Sequence, residues 1–289
     1  MTLSVGRSAR SVSALAVAGL VAVAPAAAVS DPDTARHVRV SLLADTDGIA
    51  PGRPLLVGVR LQMDGGWHTY WRNPGDAGLA TRLRWSLPEG FAAGEVQWPA
   101  PERFVTGPVA SYGYVDDVLL PVEVRVPAAL ARPDVRLAAR VDWLECREAC
   151  RPGRAELTLT LPVERSPRPS PSAPLFTEAR RRLPAPATGW GVTASAEPPA
   201  LVLFFRPPPG EKVKSASFYP LAPRVLDHAS PQPLERTPRG RYRLRLVRDP
   251  NGVPVERLTG VLVVDVTGGR RALNVDVRVS APATRTTRS

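Results

Sequence analysis

Cys146 and Cys150 are the two cysteines of this 289-residue sequence, and three residues separate them in the stretch WLECREACRPG, residues 143–153. Paired thiols at that spacing can do three kinds of chemistry. They can close a structural disulfide, hold a soft metal ion, or exchange electrons with other disulfides. In an extended strand, residues four apart lie roughly 13 Å from each other at ~3.3 Å per residue. A disulfide needs Cα atoms within about 4.4 to 6.8 Å, so the segment must turn between the two cysteines. A loop this short stabilises a fold by only about 2 kcal/mol in the chain-entropy picture, against about 4.7 kcal/mol for a 100-residue loop. Domains with full cores of their own do not need so weak a staple. A metal site usually takes three or four ligands, and His37, His68 and His228 are the only imidazoles available to complete one. Two thiolates alone suit linear Cu(I). Redox exchange, a structural disulfide and a Cu(I) site on Cys146 and Cys150 are all open on these residues.

The flanking charges bear on reactivity. Arg147, Arg151 and Arg154 favour a thiolate, while Glu145 and Glu148 oppose it, which leaves a mildly positive neighbourhood. Cys146 ends an alternating run that begins at Val135, and the next strand pattern begins near Ala155. The pair is therefore expected at the tip of a hairpin, with Arg151-Pro152-Gly153 supplying the turn.

The elements that must hold such a tip repeat with period two. Residues 37–45, 55–63, 81–87, 118–126, 135–144 and 155–163 alternate or run apolar over strand lengths. Turn-forming clusters separate them, among them TDGIAPG, RNPGDAG and LPEG. Six or seven short strands over residues 36–164 predict an antiparallel β-sandwich. RSPRPSPSAP (165–174) reads as a Pro/Ser-rich linker, extended and semi-rigid, serving as a short hinge, and LFTEARRRL (175–183) as a short helix within a connecting segment 165–184. Strand patterns resume at 200–206, 215–220, 241–248, 258–266 and 271–280, which predicts a second β-sandwich over 185–280. Residues 281–289 read as a disordered tail. The fold class is all-β: two antiparallel sandwiches on a linker.

Residues 1–28 carry Arg7 and Arg10, then a small-residue apolar core, then Ala26-Ala27-Ala28, the pattern of a cleaved signal peptide. The apolar run is short and alanine-rich for a membrane span. An exported, soluble protein is expected. The net charge of +11 is almost all arginine, spaced as in RYRLRLVR (241–248) so that it falls on the solvent face of strands. No basic tract interleaved with aromatic residues appears, which argues against nucleic acid as a partner.

Four stretches together resemble the periplasmic N-terminal region of the thiol:disulfide interchange protein DsbD family, in the ScsB-like, copper-sensitivity branch. They are GGWHTYWRNPGDAG (65–78), WPAPERF (98–104), YGYVDDVLLPV (112–122) and WLECREACRPG. SFYPLAPRVLDHASPQ (217–232) is similar to that branch's second module, so the resemblance extends over residues 36–280. It implies immunoglobulin-like sandwiches, a periplasmic location and a redox-active Cys146–Cys150 disulfide that needs no other cofactor. It further implies a protein-disulfide reductase component, a thiol-disulfide oxidoreductase working by electron transfer. Cys150 would meet partners and Cys146 would resolve the mixed disulfide. The better-known family members have five residues between their cysteines where this sequence has three, so these roles transfer less directly.

Phe104 falls where the family carries a cap loop over the disulfide; Trp67, His68 and Tyr70 fall where it has aromatic residues beside the cysteines. Each also has a plain packing role open to it: Trp67, Tyr70 and Trp71 as core aromatics, His68 as a satisfied polar group, Phe104 as filler at a sandwich edge. Asp116-Asp117 is expected to mark a turn before Val118, and RNPGDAG a tight Asn-Pro-Gly turn. Full-length family members continue into a membrane electron conduit and a thioredoxin-like domain that this sequence does not encode. The expected partners are therefore a separate thioredoxin-like protein, a membrane electron transporter of the DsbD/CcdA type and exported disulfide-containing proteins. A periplasmic Cu(I)-binding, copper-tolerance module and a non-catalytic interaction protein with a structural disulfide are the alternatives.

Overall fold

The computed structural model describes residues 37–252 and 254–281. The expected leader, and the expected tail beyond Ala281, lie outside the described residues. Ten strands make the first half: β1 (Val38–Ala44), β2 (Leu55–Met63), β3 (His68–Gly75), β4 (Arg82–Ser86), β5 (Ala92–Val96), β6 (Glu102–Thr106), β7 (Val109–Val115), β8 (Asp117–Arg125), β9 (Asp134–Cys146) and β10 (Cys150–Pro162). Helix α1 (Ala173–Arg182) follows. The second half holds β11 (Ala185–Pro186), β12 (Thr193–Glu197), β13 (Ala200–Phe205), β14 (Val213–Pro220), β15 (Leu234–Arg236), β16 (Tyr242–Val247), β17 (Arg257–Val266) and β18 (Gly269–Ser280).

The first half is an antiparallel sandwich, as its alternation predicts. One sheet runs β1-β2-β8-β5; the other runs β10-β9-β3-β7-β6, with β4 also paired to β9. Leu55, Val57, Val59 and Leu61 turn inward from β2 and meet Val135, Leu137, Ala139 and Val141 from β9 in one core. Fully burying a side chain of that kind contributes roughly 1.5–3 kcal/mol relative to exposure. The expected turn before Val118 is present, with Asp116 at φ 58°.

The stretch RNPGDAG behaves differently from the turn expected of it. Asn73, Pro74 and Gly75 continue β3, and the chain turns only after them. Pro74 is tolerated because the register with β7 shifts between Tyr70 and Gly75, so no ladder hydrogen bond is asked of its missing N–H.

The second half forms one hydrogen-bonded path, β14-β17-β18-β12-β13-β16-β15, whose two ends pack over a shared core. Its pairings are antiparallel except where β11 and β12 run parallel to β18. Here β17 is decisive. Its even-numbered residues Leu258, Leu262 and Val264 enter the second core, while Val261 and Val263 join the core of the first sandwich with Tyr219 of β14. A strand buried on both faces reads as a continuous apolar run, which is how LTGVLVVDV reads.

The linker is not a free hinge. Its non-proline residues tie it to the first sandwich: Ser170 N–H donates to the Asp45 carbonyl at 2.9 Å, Arg168 N–H to the Asp47 carboxylate at 2.8 Å, and the Arg168 carbonyl accepts from Asp47 N–H at 2.9 Å. Prolines at alternate positions cannot donate, but the residues between them can. Helix α1 then seats Phe176, fully buried, and Ala179 against Leu119 of β8.

Candidate functional site

Cys146 is the last residue of β9 and Cys150 the first of β10, and they face each other as a cross-strand pair. Arg147, Glu148 and Ala149 make the loop between them, which brings the two Cα atoms to 4.2 Å and lets the sulfurs form a disulfide. The hairpin-tip placement is as expected. The turn chemistry is not: Arg151, Pro152 and Gly153 belong to β10, paired with Glu145, Leu144 and Trp143. Gly153 serves packing instead. A Cβ there would lie 2.2 Å from Cε2 of Trp143, so the bare backbone is the seat for the indole.

The pair is asymmetric. Cys146 is 2% exposed, whereas Cys150 lies exposed at the head of β10. A partner from solvent therefore meets Cys150 first.

Period two along β3 supplies the neighbours. Thr69 and Trp71 point inward and are buried. His68 and Tyr70 alternate with them and lie on the disulfide's side, with His68 opposite Cys146 in the register. The Tyr70 hydroxyl is 3.7 Å from Cys150 Sγ and 3.3 Å from His68 Nε2. The His68 ring stacks on Phe104 of β6 at 5.0 Å between centroids. Phe104, His68 and Tyr70 thus form a continuous layer that ends at Cys150. Gly78 backs it: a Cβ there would come within 2.1 Å of Tyr70 Cε1, and its φ of +109° suits glycine.

Trp67 stands apart from that layer. It stacks on His37 at 3.9 Å, and Arg151 lies over the ring with the guanidinium carbon 6.0 Å from the ring centroid. Of the four aromatic or capping residues expected beside the cysteines, Phe104, His68 and Tyr70 form the layer that ends at Cys150, and Trp67 lies against His37 and Arg151.

Burial lowers the pKa of His68 and raises that of Tyr70, so at neutral pH the ring is neutral and the phenol keeps its proton. Two of the flanking charges are engaged with neighbours. Arg154 donates to Asp142 at 2.7 Å and, with Arg140, holds that carboxyl below its usual range. Glu145 is fully buried and accepts from the Trp143 indole N–H at 3.2 Å. Among the described residues, no group of three or more His, Cys, Asp or Glu is placed to hold a metal ion. His37, His68 and His228 lie in three different surroundings, against Trp67, Phe104 and Tyr112.

Sequence reasoning missed the contacts behind the site. Asn73 donates to the Pro220 and Ala222 carbonyls at 2.8 and 3.2 Å. Arg103 donates to the Ala229 and Ser230 carbonyls at 2.7 and 2.9 Å. Tyr112 shares a 2.8 Å hydrogen bond with His228 Nδ1, both side chains being buried. Every one of these joins the disulfide-bearing sheet to the second sandwich, and their only sequence signal is strand parity.

Comparison with known proteins agrees with this architecture. Residues 39–162 match the family described as "Thiol:disulfide interchange protein DsbD, N-terminal". The N-terminal periplasmic domain of ScsB from Proteus mirabilis superposes with a TM-score of 0.62 at 18% identity, over 87% of this chain and 97% of that one. That coverage takes in both sandwiches, so the tandem fold is shared. The periplasmic chaperone SfaE (13% identity, 84% of this chain and 100% of that one) and Spo0M, a sporulation control protein from Bacillus subtilis (11% identity, 83% and 89%), overlay only at TM-scores of 0.20 and 0.22. No curated protein matches the chain. Among the described residues no helix is long and apolar enough to cross a membrane. The Cys-x3-Cys disulfide, at the mouth of an all-antiparallel sandwich, thus lies inside the stretch of this chain that matches the DsbD N-terminal family.

Proposed function

We propose that the chain is a periplasmic thiol–disulfide interchange module that passes electrons from a thioredoxin-like or membrane donor to disulfides of exported proteins. The observation that carries the reading is the unequal exposure of the pair, with Cys150 open and Cys146 2% exposed. The family match over the first sandwich supports the same chemistry.

In the reduced form, the Cys150 thiolate attacks one sulfur of a partner disulfide. That S–S bond breaks, a Cys150–partner bond forms, and the partner's other sulfur leaves as a thiolate and takes up a proton. Cys146 then attacks Cys150 Sγ, which releases the second partner sulfur and closes Cys146–Cys150. Two electrons have moved, leaving the partner a dithiol and this chain a disulfide. A donor dithiol reverses the sequence and recharges the pair. The Tyr70 hydroxyl is placed to donate to the Cys150 thiolate, and charge-assisted hydrogen bonds of this type favour the ionised form. Phe104, His68 and Tyr70 limit which molecules reach the sulfurs.

The test is a titration across glutathione buffers with thiol trapping read by mass. A midpoint within the glutathione range, with a mixed disulfide trapped by Cys146→Ser and none by Cys150→Ser, is expected. A disulfide that resists reduction below about −300 mV would make the bond structural. Stoichiometric Cu(I) capture by a reduced pair that forms no mixed disulfide would make the module a copper binder.

A further inference from the structure

Two strands of the disulfide-bearing sheet carry the access layer and the interdomain contacts on alternate residues. On β6, Phe104 stacks on His68, while its neighbour Arg103 reaches the second sandwich and donates through Nη2 to the Ala229 and Ser230 carbonyls. On β3, His68 and Tyr70 face the disulfide, while Trp71 and Asn73 face the other way. Asn73 holds the Pro220 and Ala222 carbonyls, and Trp71 lies edge-on to Tyr112 and Tyr219. The loop that receives Arg103 is itself fixed. The Asp227 carboxylate accepts from Ala229 N–H and Ser230 N–H at 3.1 Å each, and from the Ser230 hydroxyl at 2.8 Å. The β6–β7 hairpin, by contrast, projects with Val105 52% and Val109 39% exposed near its tip. Its own sheet holds β6 on one side alone, through β7, since β6 ends the strand order.

We propose that the second sandwich is a brace for the cap: through Arg103 it holds the β6–β7 hairpin closed, so that Phe104 stays on His68 and access to Cys150 is set from the other domain. Arg103 is a positioning residue that touches neither sulfur. The inference rests on the reading of Phe104, His68 and Tyr70 as the layer that controls access. An edge strand secured by one ladder opens readily unless something else holds it. Removing the clasp raises the open population and with it the rate at which small reagents reach the disulfide.

The experiment measures reduction of the disulfide by dithiothreitol in the wild type and in Arg103→Ala, Arg103→Lys, Asp227→Ala and Phe104→Ala, with each clasp variant also combined with Phe104→Ala. Arg103→Ala and Asp227→Ala should each be faster by on the order of fivefold, the change expected when one typical net hydrogen bond ceases to favour closure. Arg103→Lys, which can still reach a carbonyl, should stay near wild type. In the Phe104→Ala background neither clasp variant should add anything, because there is no shield left to hold. Wild-type rates in both Arg103→Ala and Asp227→Ala overturn the brace, and so do rate increases that multiply with Phe104→Ala. Asp227 lies in the second sandwich, so its variant decides the matter if Arg103→Ala does not fold. Dithiothreitol reports access whatever the biological role of the pair. The brace can thus fail while the interchange reading stands on the glutathione midpoint, and the reverse.

Discussion

The Tyr70 hydroxyl lies 3.7 Å from Cys150 Sγ, on the exposed member of the disulfide, and not beside the buried Cys146. Burial keeps that phenol protonated at neutral pH, so it faces Cys150 as a donor. Tyr70→Phe removes the donor and little else. In a Cys146→Ser background, the pH at which Cys150 is half alkylated should rise by about one unit, the scale of a lost hydrogen bond to a charged group. An alkylation profile that does not move would remove Tyr70 from thiolate stabilisation.

Gly78 tests the same contact from behind. Alanine there meets the Tyr70 ring at 2.1 Å and must also adopt a φ of +109°. Gly78→Ala should cost about 1–3 kcal/mol in urea unfolding, as overpacked sites do, and should move the Cys150 alkylation profile in the same direction as Tyr70→Phe. Loss of stability with an unmoved profile would mean that the ring shifts without leaving the sulfur.

Stability should fall on mild acidification. Burial lowers the pKa of His68 and of His228, the latter against the opposing pull of Asp76, Asp249 and Asp227. Between the folded values and the ordinary histidine value near 6.5 the unfolded chain binds more protons, so these groups add stability above about pH 6.5 that is lost as pH drops through the folded values. Within that window the slope approaches ~1.4 kcal/mol per pH unit for each histidine. Urea unfolding from pH 7.5 to 5.5 should show it, and His228→Gln should flatten the curve. A slope unchanged in that variant would clear the Tyr112–His228 contact of the effect.

Helix α1 should matter more than its ten residues suggest. Phe176 is fully buried against Leu119 and anchors the segment after the linker. Phe176→Ala should cost about 3–5 kcal/mol by the usual cost of truncating a buried ring, and should expose residues 165–174 to protease. Cleavage there as slow as in the wild type would show that the bonds from Arg168 and Ser170 suffice alone.

Much of this was legible in the sequence, and the failures have physical reasons. β2 was expected at residues 55–63 and lies there, because its inward face alternates without interruption. The apolar run of β17 was read as a strand, but periodicity alone does not say what covers its second face. RNPGDAG reads as a turn because Pro and Gly usually end strands; here a break in register with β7 lets Asn73, Pro74 and Gly75 continue β3. The spacing of Cys146 and Cys150 required a turn. Which sulfur faces solvent, and the seat that Gly153 gives Trp143, depend on contacts between strands that spacing cannot express. Arg103, Asn73 and Tyr112 carried no signal beyond strand alternation, because their partners lie more than a hundred positions away.

The double-faced burial of β17 has an evolutionary consequence. Val261, Val263 and Tyr219 are core residues of a sandwich whose strands they do not belong to. A gene cut at the Pro/Ser stretch would leave each half with a bare apolar wall, and such walls seek other surfaces. The halves are therefore free to diverge in their outer loops but not to part company. Any shuffling event that separates them must supply a new neighbour for that wall at the same moment.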